Sequence, residues 1–287
     1  MKKLALIIVL VVAFSLAGCA QPEEELVMGF VPMRDAESLI ESVEPLAEML
    51  SEELGVKVRP FTAVNYVSVV EGLGSGQVDF GFIPPFSYLL ANSESEAQVI
   101  LTALRSDGLP FYRSQILARA DSDISIEDLY GLRVAFVDPA STSGYLYPAA
   151  HLINLGYDID KDFNLVYAGG HDRGLQALLN GDVDVAAVFL DARERYKAEF
   201  PQAMDDTVQL AVTDPIPNIS VTVAGGMDEE MAQRLATALL NIAEDEAGAE
   251  MLRELFDMYG FVPATDSDYD IVRQTARTLD VDLREAE

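Results

Sequence analysis

The sequence predicts an α/β protein of two lobes, each a mostly parallel sheet flanked by helices. Three observations carry this. Short apolar runs alternate with stretches whose apolar residues fall three and four apart, the rhythm of strands covered by helices. The rhythm occurs in two series of similar size, one ending and one beginning near residue 120. Hydrophobic residues make up 50% of the chain, enough to fill two cores, and beyond the N-terminal segment none of the apolar runs approaches membrane length.

In the first series Leu26–Val31 reads as a strand. From Asp35 to Leu54, residues Leu39, Ile40, Val43, Leu46, Ala47, Leu50 and Leu54 form one helical face, and Gly55 ends the helix where a left-handed residue is favoured. Val56–Phe61 is a strand, Asn65–Leu73 a helix closed by Gly74, Ser75 and Gly76, and Val78–Ile83 a strand. Pro84 and Pro85 then open a helix. In the second series Ile126–Leu129 reads as a short helix, Arg133–Val137 as a strand, and Ser141–Leu155 as a helix. Asn164–Ala168 is a strand, Asp172–Leu179 a helix with Asp172 at its N-cap, and Val183–Phe189 a strand. The extended segments 113–120 and 208–224 are the candidate crossings, giving a first lobe of residues 26–117 plus 215–287 and a second of 118–214. Helices at about 228–257 and 267–279 should pack back on the first lobe.

The N-terminus is a sorting signal. Lys2 and Lys3 precede an apolar run from Leu4 to Leu16, too short for a membrane span, which needs about 20 residues. Cys19, the only cysteine, follows Leu16, Ala17 and Gly18, which resembles the bacterial lipoprotein processing box. That resemblance implies removal of residues 1–18, diacylglycerol on the Cys19 sulfur and a tether over 19–25. The expected location is extracytoplasmic, anchored to the cell membrane or facing the periplasm. With 19 Lys and Arg against 48 Asp and Glu, the formal net charge is −29. This excludes nucleic acid, whose phosphates demand a basic surface. Two histidines and one lipidated cysteine leave little for a metal site.

Ligands of open α/β sheets bind beyond the carboxyl ends of strands, so the residues there are the candidates. Asp138–Gly144 (DPASTSG) follows a strand and opens a helix. Ser141, Thr142 and Ser143 supply three hydroxyls where one would cap the helix, beside free amides and the positive end of the helix dipole, a site suited to an anion. His171 follows Gly169 and Gly170 between a strand and a helix. Tyr66 and Tyr88 each lie near a helix start in the first lobe and are candidates for either cleft or core. Asp191 follows the Val183–Phe189 strand. A carboxylate there would accept the hydrogen of a P–OH group, which sulfate lacks, or receive a ligand ammonium; a surface Asp is the plain alternative in so acidic a chain.

In order along the chain, Val78–Gly81, Pro84–Tyr88, Tyr112–Gln115, Asp138–Gly144, Gly169–Asp172, Gly181–Asp184 and Pro215–Asn218 together make the sequence similar to the phosphate/phosphite/phosphonate-binding subunits of bacterial ABC importers. The resemblance spans nearly the whole mature chain. It implies a type II periplasmic-binding-protein fold with the ligand in the interlobe cleft, a monomer that delivers a small phosphorus oxyanion to an ABC permease and ATPase, no catalysis and no cofactor. It further implies that Ser141, Thr142 and Ser143 hold the phosphorus oxygens, that Tyr66 and Tyr88 donate from the opposite lobe, and that His171 contacts a ligand oxygen. Asp191 stands where aminoalkylphosphonate binders carry a Glu facing the amine. One departure is Ile219-Ser220, where many members have Asp-Pro; loss of that carboxylate favours a smaller ligand without an amine. A sensor or scaffold of the same fold, and a Ser/His hydrolase, are the alternatives.

Overall fold

The structure, a computed structural model, describes residues 25–32, 36–281 and 283. The signal segment, Cys19 and the tether up to residue 24 lie outside the described residues. Strand β1 (Glu25–Phe30) is followed by α1 (Ala36–Leu54), β2 (Lys57–Thr62), α2 (Tyr66–Ser75), β3 (Phe80–Ile83), α3 (Pro85–Ser95) and β4 (Gln98–Ala103). A two-residue strand, β5 (Phe111–Tyr112), leads to β6 (Ser114–Arg119) and β7 (Arg133–Phe136). A π-helical turn (Thr142–Leu146) runs into α4 (Tyr147–Asn154), then β8 (Asn164–Tyr167), α5 (His171–Asn180) and β9 (Val185–Phe189). Two short helices, α6 (Ala192–Arg195) and α7 (Ala203–Asp206), precede β10 (Thr207–Val212). The chain returns through β11 (Ile216–Pro217) to β12 (Ser220–Val223), α8 (Glu229–Glu244), α9 (Glu246–Phe256), β13 (Phe261–Pro263) and α10 (Asp270–Arg277).

Two sheets result, one ordered β13-β4-β12-β3-β1-β2 and one ordered β10-β6-β9-β7-β8. The sheets are mixed, not mostly parallel: β1, β2 and β3 run parallel, as do β7, β8 and β9, but β12 is antiparallel to β3 and β4, and β6 to β9 and β10. The cause is the crossing. The chain passes between lobes at the edge where the parallel strands end, so each crossing strand starts there and runs the other way. The crossings pair with each other as β5 and β11, Tyr112 opposite Ile216. Because β6 lies wholly in the second sheet, the first crossing falls at Arg113, earlier than the expected boundary at 117/118.

The helical face of α1 is buried at Leu39, Val43, Leu46, Ala47, Leu50 and Leu54 against β1, β2 and α8. Full burial of such side chains contributes about 1.5–3 kcal/mol each. The expected helix over 228–257 is broken at Asp245, which ends α8 and caps α9 by accepting from Ala247 N and Gly248 N, both at 3.0 Å. Ile126–Leu129 is a turn closed by Asp128 N donating to Ser125 O (3.2 Å); four residues are too few to nucleate a helix without further support. Helix α10 does not pack on the first lobe alone. Tyr269, Val272 and Ala276 share one apolar cluster with Tyr88 and Leu89 of the first lobe and Leu146 and Tyr147 of the second. Among the described residues no helix is long and apolar enough to cross a membrane.

Candidate functional site

The carboxyl ends of β1, β3 and β4 in one lobe face those of β7, β8 and β9 in the other, and a cavity of about 310 Å³ lies between them. That volume is at the small end of ligand pockets. Below its first-lobe wall, Phe30, Phe82 and Phe256 stack nearly parallel, with ring centroids 5.4–5.9 Å apart, and fix the ends of β1, β3 and α9 relative to one another.

The floor comes from the DPASTSG segment. Asp138 orders it: Oδ1 accepts from Ala140 N (2.8 Å) and Oδ2 reaches across the cleft to accept from Tyr66 N (3.2 Å). Ser141 Oγ accepts from Gly144 N (3.0 Å), which caps the π-turn. The turn is closed by Leu146 N donating to Ser141 O (3.0 Å), so the amides of Thr142 and Ser143 precede its first internal bond and have no partner within it. Gly144 is required here, because a Cβ would sit 2.3 Å from Val137 Cγ2 and 2.8 Å from Ser141 Oγ. Ser141 and Ser143 line the cavity. Thr142 does not: its Oγ1 accepts from Phe86 N at the start of α3 (2.8 Å). With Ser87 Oγ donating to Ala140 O (2.9 Å), this bond ties the lobes together beside the cavity.

Tyr66 lines the cavity, with its hydroxyl within hydrogen-bond reach of Ser141; burial pushes its phenol well up, so it stays a proton donor. Tyr88 is elsewhere. It sits in α3 on the face turned to α10, packs edge-on against Tyr269 (4.9 Å) and donates its hydroxyl to Asp266. Tyr112 of β5 and Tyr196 also line the cavity; Tyr112 is likewise pushed up by burial and lies within hydrogen-bond reach of Ser143. The sequence reading expected Tyr88 at the cleft; the structure brings Tyr112, which stands in one of the motifs quoted above, to the cavity instead.

His171 opens α5 and lines the cavity. Gly170, not Asp172, is the N-cap residue, and it caps without a side chain; Gly169 before it has a φ of +78°, a conformation glycine adopts without cost. Phe189 N donates to His171 Nδ1 (3.3 Å), which places the proton of the neutral ring on Nε2. Burial holds the ring at a pKa of about 3, so this donor is neutral at physiological pH. Asp191 lies at the rim. It forms an ion pair with Arg105 of the facing lobe, and Arg105 Nη1 pairs with Asp257 Oδ2 at 2.9 Å. Beside them Arg195 donates to the backbone carbonyls of Glu254 (3.1 Å) and Leu255 at the end of α9. Ile219 and Asn218 complete this side. Among the described residues no three His, Cys, Asp or Glu side chains are grouped to hold a metal ion.

The arrangement offers an anion several neutral donors (the Ser141, Ser143, Tyr66 and Tyr112 hydroxyls and the His171 Nε2–H) in a cleft closed by bonds between lobes. The profile of the family described as "ABC transporter, phosphonate, periplasmic substrate-binding protein" matches residues 28–269. The chain is 33% identical over 295 aligned residues to the phosphate-import protein PhnD of Mycolicibacterium smegmatis, covering 92% of this chain and 91% of that one. In structure it is similar to the binding-protein component of an ABC phosphonate transporter from Pseudomonas aeruginosa, with a TM-score of 0.82 and 22% identity over 90% of this chain and 88% of that one. PhnD1 of Prochlorococcus marinus in complex with methylphosphonate gives a TM-score of 0.80 and 19% identity over 90% and 99%. The chain therefore has the two-lobed type II periplasmic-binding-protein fold and belongs to the family of non-catalytic periplasmic substrate-binding proteins of phosphonate ABC transporters.

Proposed function

We propose that this protein captures phosphate, phosphite or a small phosphonate in the interlobe cavity and presents it, as a monomer in the closed form, to an ABC permease. The observation that carries this is the convergence of neutral donors from both lobes on one small cavity: Ser141, Ser143 and His171 from the second lobe, Tyr66 from the first and Tyr112 from the crossing. Such donors bind an anion without a buried counter-charge, and each bond is stronger in a dry cleft than in water. Thr142 serves closure through Phe86 N, and Tyr88 serves the seam with α10. Relatives support the ligand class, one being named for phosphate import and another holding methylphosphonate. The deciding experiment is calorimetry on residues 22–287 with phosphate, phosphite, methylphosphonate, 2-aminoethylphosphonate and sulfate. Binding of at least one phosphorus oxyanion and weaker binding of sulfate is expected; binding of sulfate alone, or of none, contradicts the proposal.

The anchor is part of the same reading. Diacylglycerol on Cys19 brings two acyl chains, which would hold the protein firmly at a bilayer. The full-length protein should then fractionate with membranes and Cys19→Ser should not; equal partitioning of the two rules the anchor out.

A further inference from the structure

We infer that Arg105 determines which oxyanions enter: it occupies the carboxylate of Asp191 and thereby closes the cavity to ligands that carry an ammonium group. This rests on the reading of the cavity as a phosphorus-oxyanion site.

Arg105 follows β4 in the first lobe, and Asp191 follows β9 in the second. The guanidinium bonds Asp191 Oδ2 through Nη2 and Asp257 Oδ2 through Nη1, so one cation serves two carboxylates from opposite lobes. All three residues line the cavity. The backbone of Arg105 is held in a tight turn, with Arg105 N donating to Leu109 O (3.0 Å) and Gly108 N to Arg105 O (2.9 Å), so the guanidinium is presented from a fixed base. The other charged side chains at the cavity are engaged elsewhere. Glu194 pairs with Lys197 (3.2 Å), and Arg195 is bonded to the carbonyls of Glu254 and Leu255.

A ligand whose oxyanion rests on Ser141 and Ser143 would direct an amino substituent to the rim. There the ammonium meets a guanidinium already holding the carboxylate it needs. It must displace that ion pair or stand beside a like charge, and either costs affinity. Apolar Ile219, at the same cavity, offers no substitute acceptor. Phosphate, phosphite and methylphosphonate carry no group that reaches for Asp191 in this way. Without Arg105, Asp191 and Asp257 would face the cavity unpaired, the arrangement that attracts an ammonium.

The test is the ratio of affinities for 2-aminoethylphosphonate and methylphosphonate, measured by calorimetry on the wild type, Arg105→Met and Asp191→Asn. The wild type should favour methylphosphonate. Arg105→Met should move the ratio toward the amino ligand by about 10- to 150-fold, the range that one charge-assisted bond supplies, and by no less than about fivefold. Asp191→Asn should leave the ratio within about fivefold of the wild type, since that carboxylate is not available to the amine. A smaller shift in Arg105→Met, a wild type that prefers the amino ligand, or a larger loss of the amino ligand in Asp191→Asn overturns the inference. Should Arg105→Met fail to fold, the wild-type preference and Asp191→Asn decide. A wild type that binds no phosphorus oxyanion overturns the reading of the cavity itself; methylphosphonate binding with an unmoved ratio overturns only the role of Arg105.

Discussion

The floor and the rim of the cavity are built from opposite chemistries. On the floor, Ser141, Ser143, Tyr66 and Tyr112 offer hydroxyls and His171 an N–H, and burial keeps the tyrosines protonated and the histidine neutral. At the rim, Arg105, Asp191 and Asp257 are charged, more exposed and bonded to each other. In a chain of net charge −29 this division matters. An anion gains nothing from the surface as a whole, so its attraction must be local, through aligned dipoles and short hydrogen bonds. At the rim the single cation Arg105 is shared by two carboxylates, so no free positive charge is left to draw an anion in, and the group serves instead to hold the lobes and to exclude. Two binding tasks, recognising an oxyanion and rejecting its substituted relatives, thus fall on different residues.

The sharpest way to break this comparison is a series of single variants titrated with methylphosphonate or whichever oxyanion the wild type binds. Ser141→Ala and Tyr112→Phe should each cost about 1.5–3 kcal/mol of binding, or roughly 10- to 150-fold in Kd, because a bond to a charged ligand is lost at a buried site. Tyr88→Phe should leave Kd within about threefold and instead lower the unfolding free energy by about 1–2 kcal/mol, since its hydroxyl bonds Asp266 in the seam with α10. Equal losses of affinity in Tyr88→Phe and Tyr112→Phe would place both tyrosines at the ligand and contradict the floor described here.

These two tyrosines also show what a single sequence reveals. The Ser141–Ser143 cluster was legible because a strand, a hydroxyl-rich turn and a helix follow one another locally, and position after a strand locates the cleft edge. His171 and Asp191 were legible for the same reason. Tyr112 was not, because its place depends on the pairing of β5 with β11, whose residues Tyr112 and Ile216 are far apart in the chain. Tyr88 looked equivalent, since helical periodicity says that a face is buried but not by what; α10, almost at the other end of the chain, covers it. Arg105 gave no signal at all. Its partners Asp191 and Asp257 come from a different lobe and a different helix end. The mixed sheets were missed on similar grounds. Apolar runs identify strands, whereas strand direction follows from where the chain crosses between lobes.

That Thr142 lies outside the cavity sharpens the account of the cluster. Three hydroxyls exceed the need of a helix cap, and the surplus is divided: Ser141 caps the turn and faces the cavity, Ser143 faces the cavity, and Thr142 binds the opposite lobe. On the proposed function, recognition and closure would be joined in consecutive residues: a ligand that orders the turn would also favour the bond from Phe86 N, coupling hinge closure to binding.

The central claim, capture by neutral local donors and not by net attraction, is tested most directly by the salt dependence of affinity. At fixed pH, Kd for the best oxyanion ligand should change less than about threefold, or tighten, between roughly 50 and 500 mM of a salt with a bulky anion such as sodium gluconate, because added ions screen only the repulsive surface field while the cavity bonds lie within contact distance. A weakening of about tenfold or more over that range would mean that exposed cations draw the ligand in, and would contradict the account.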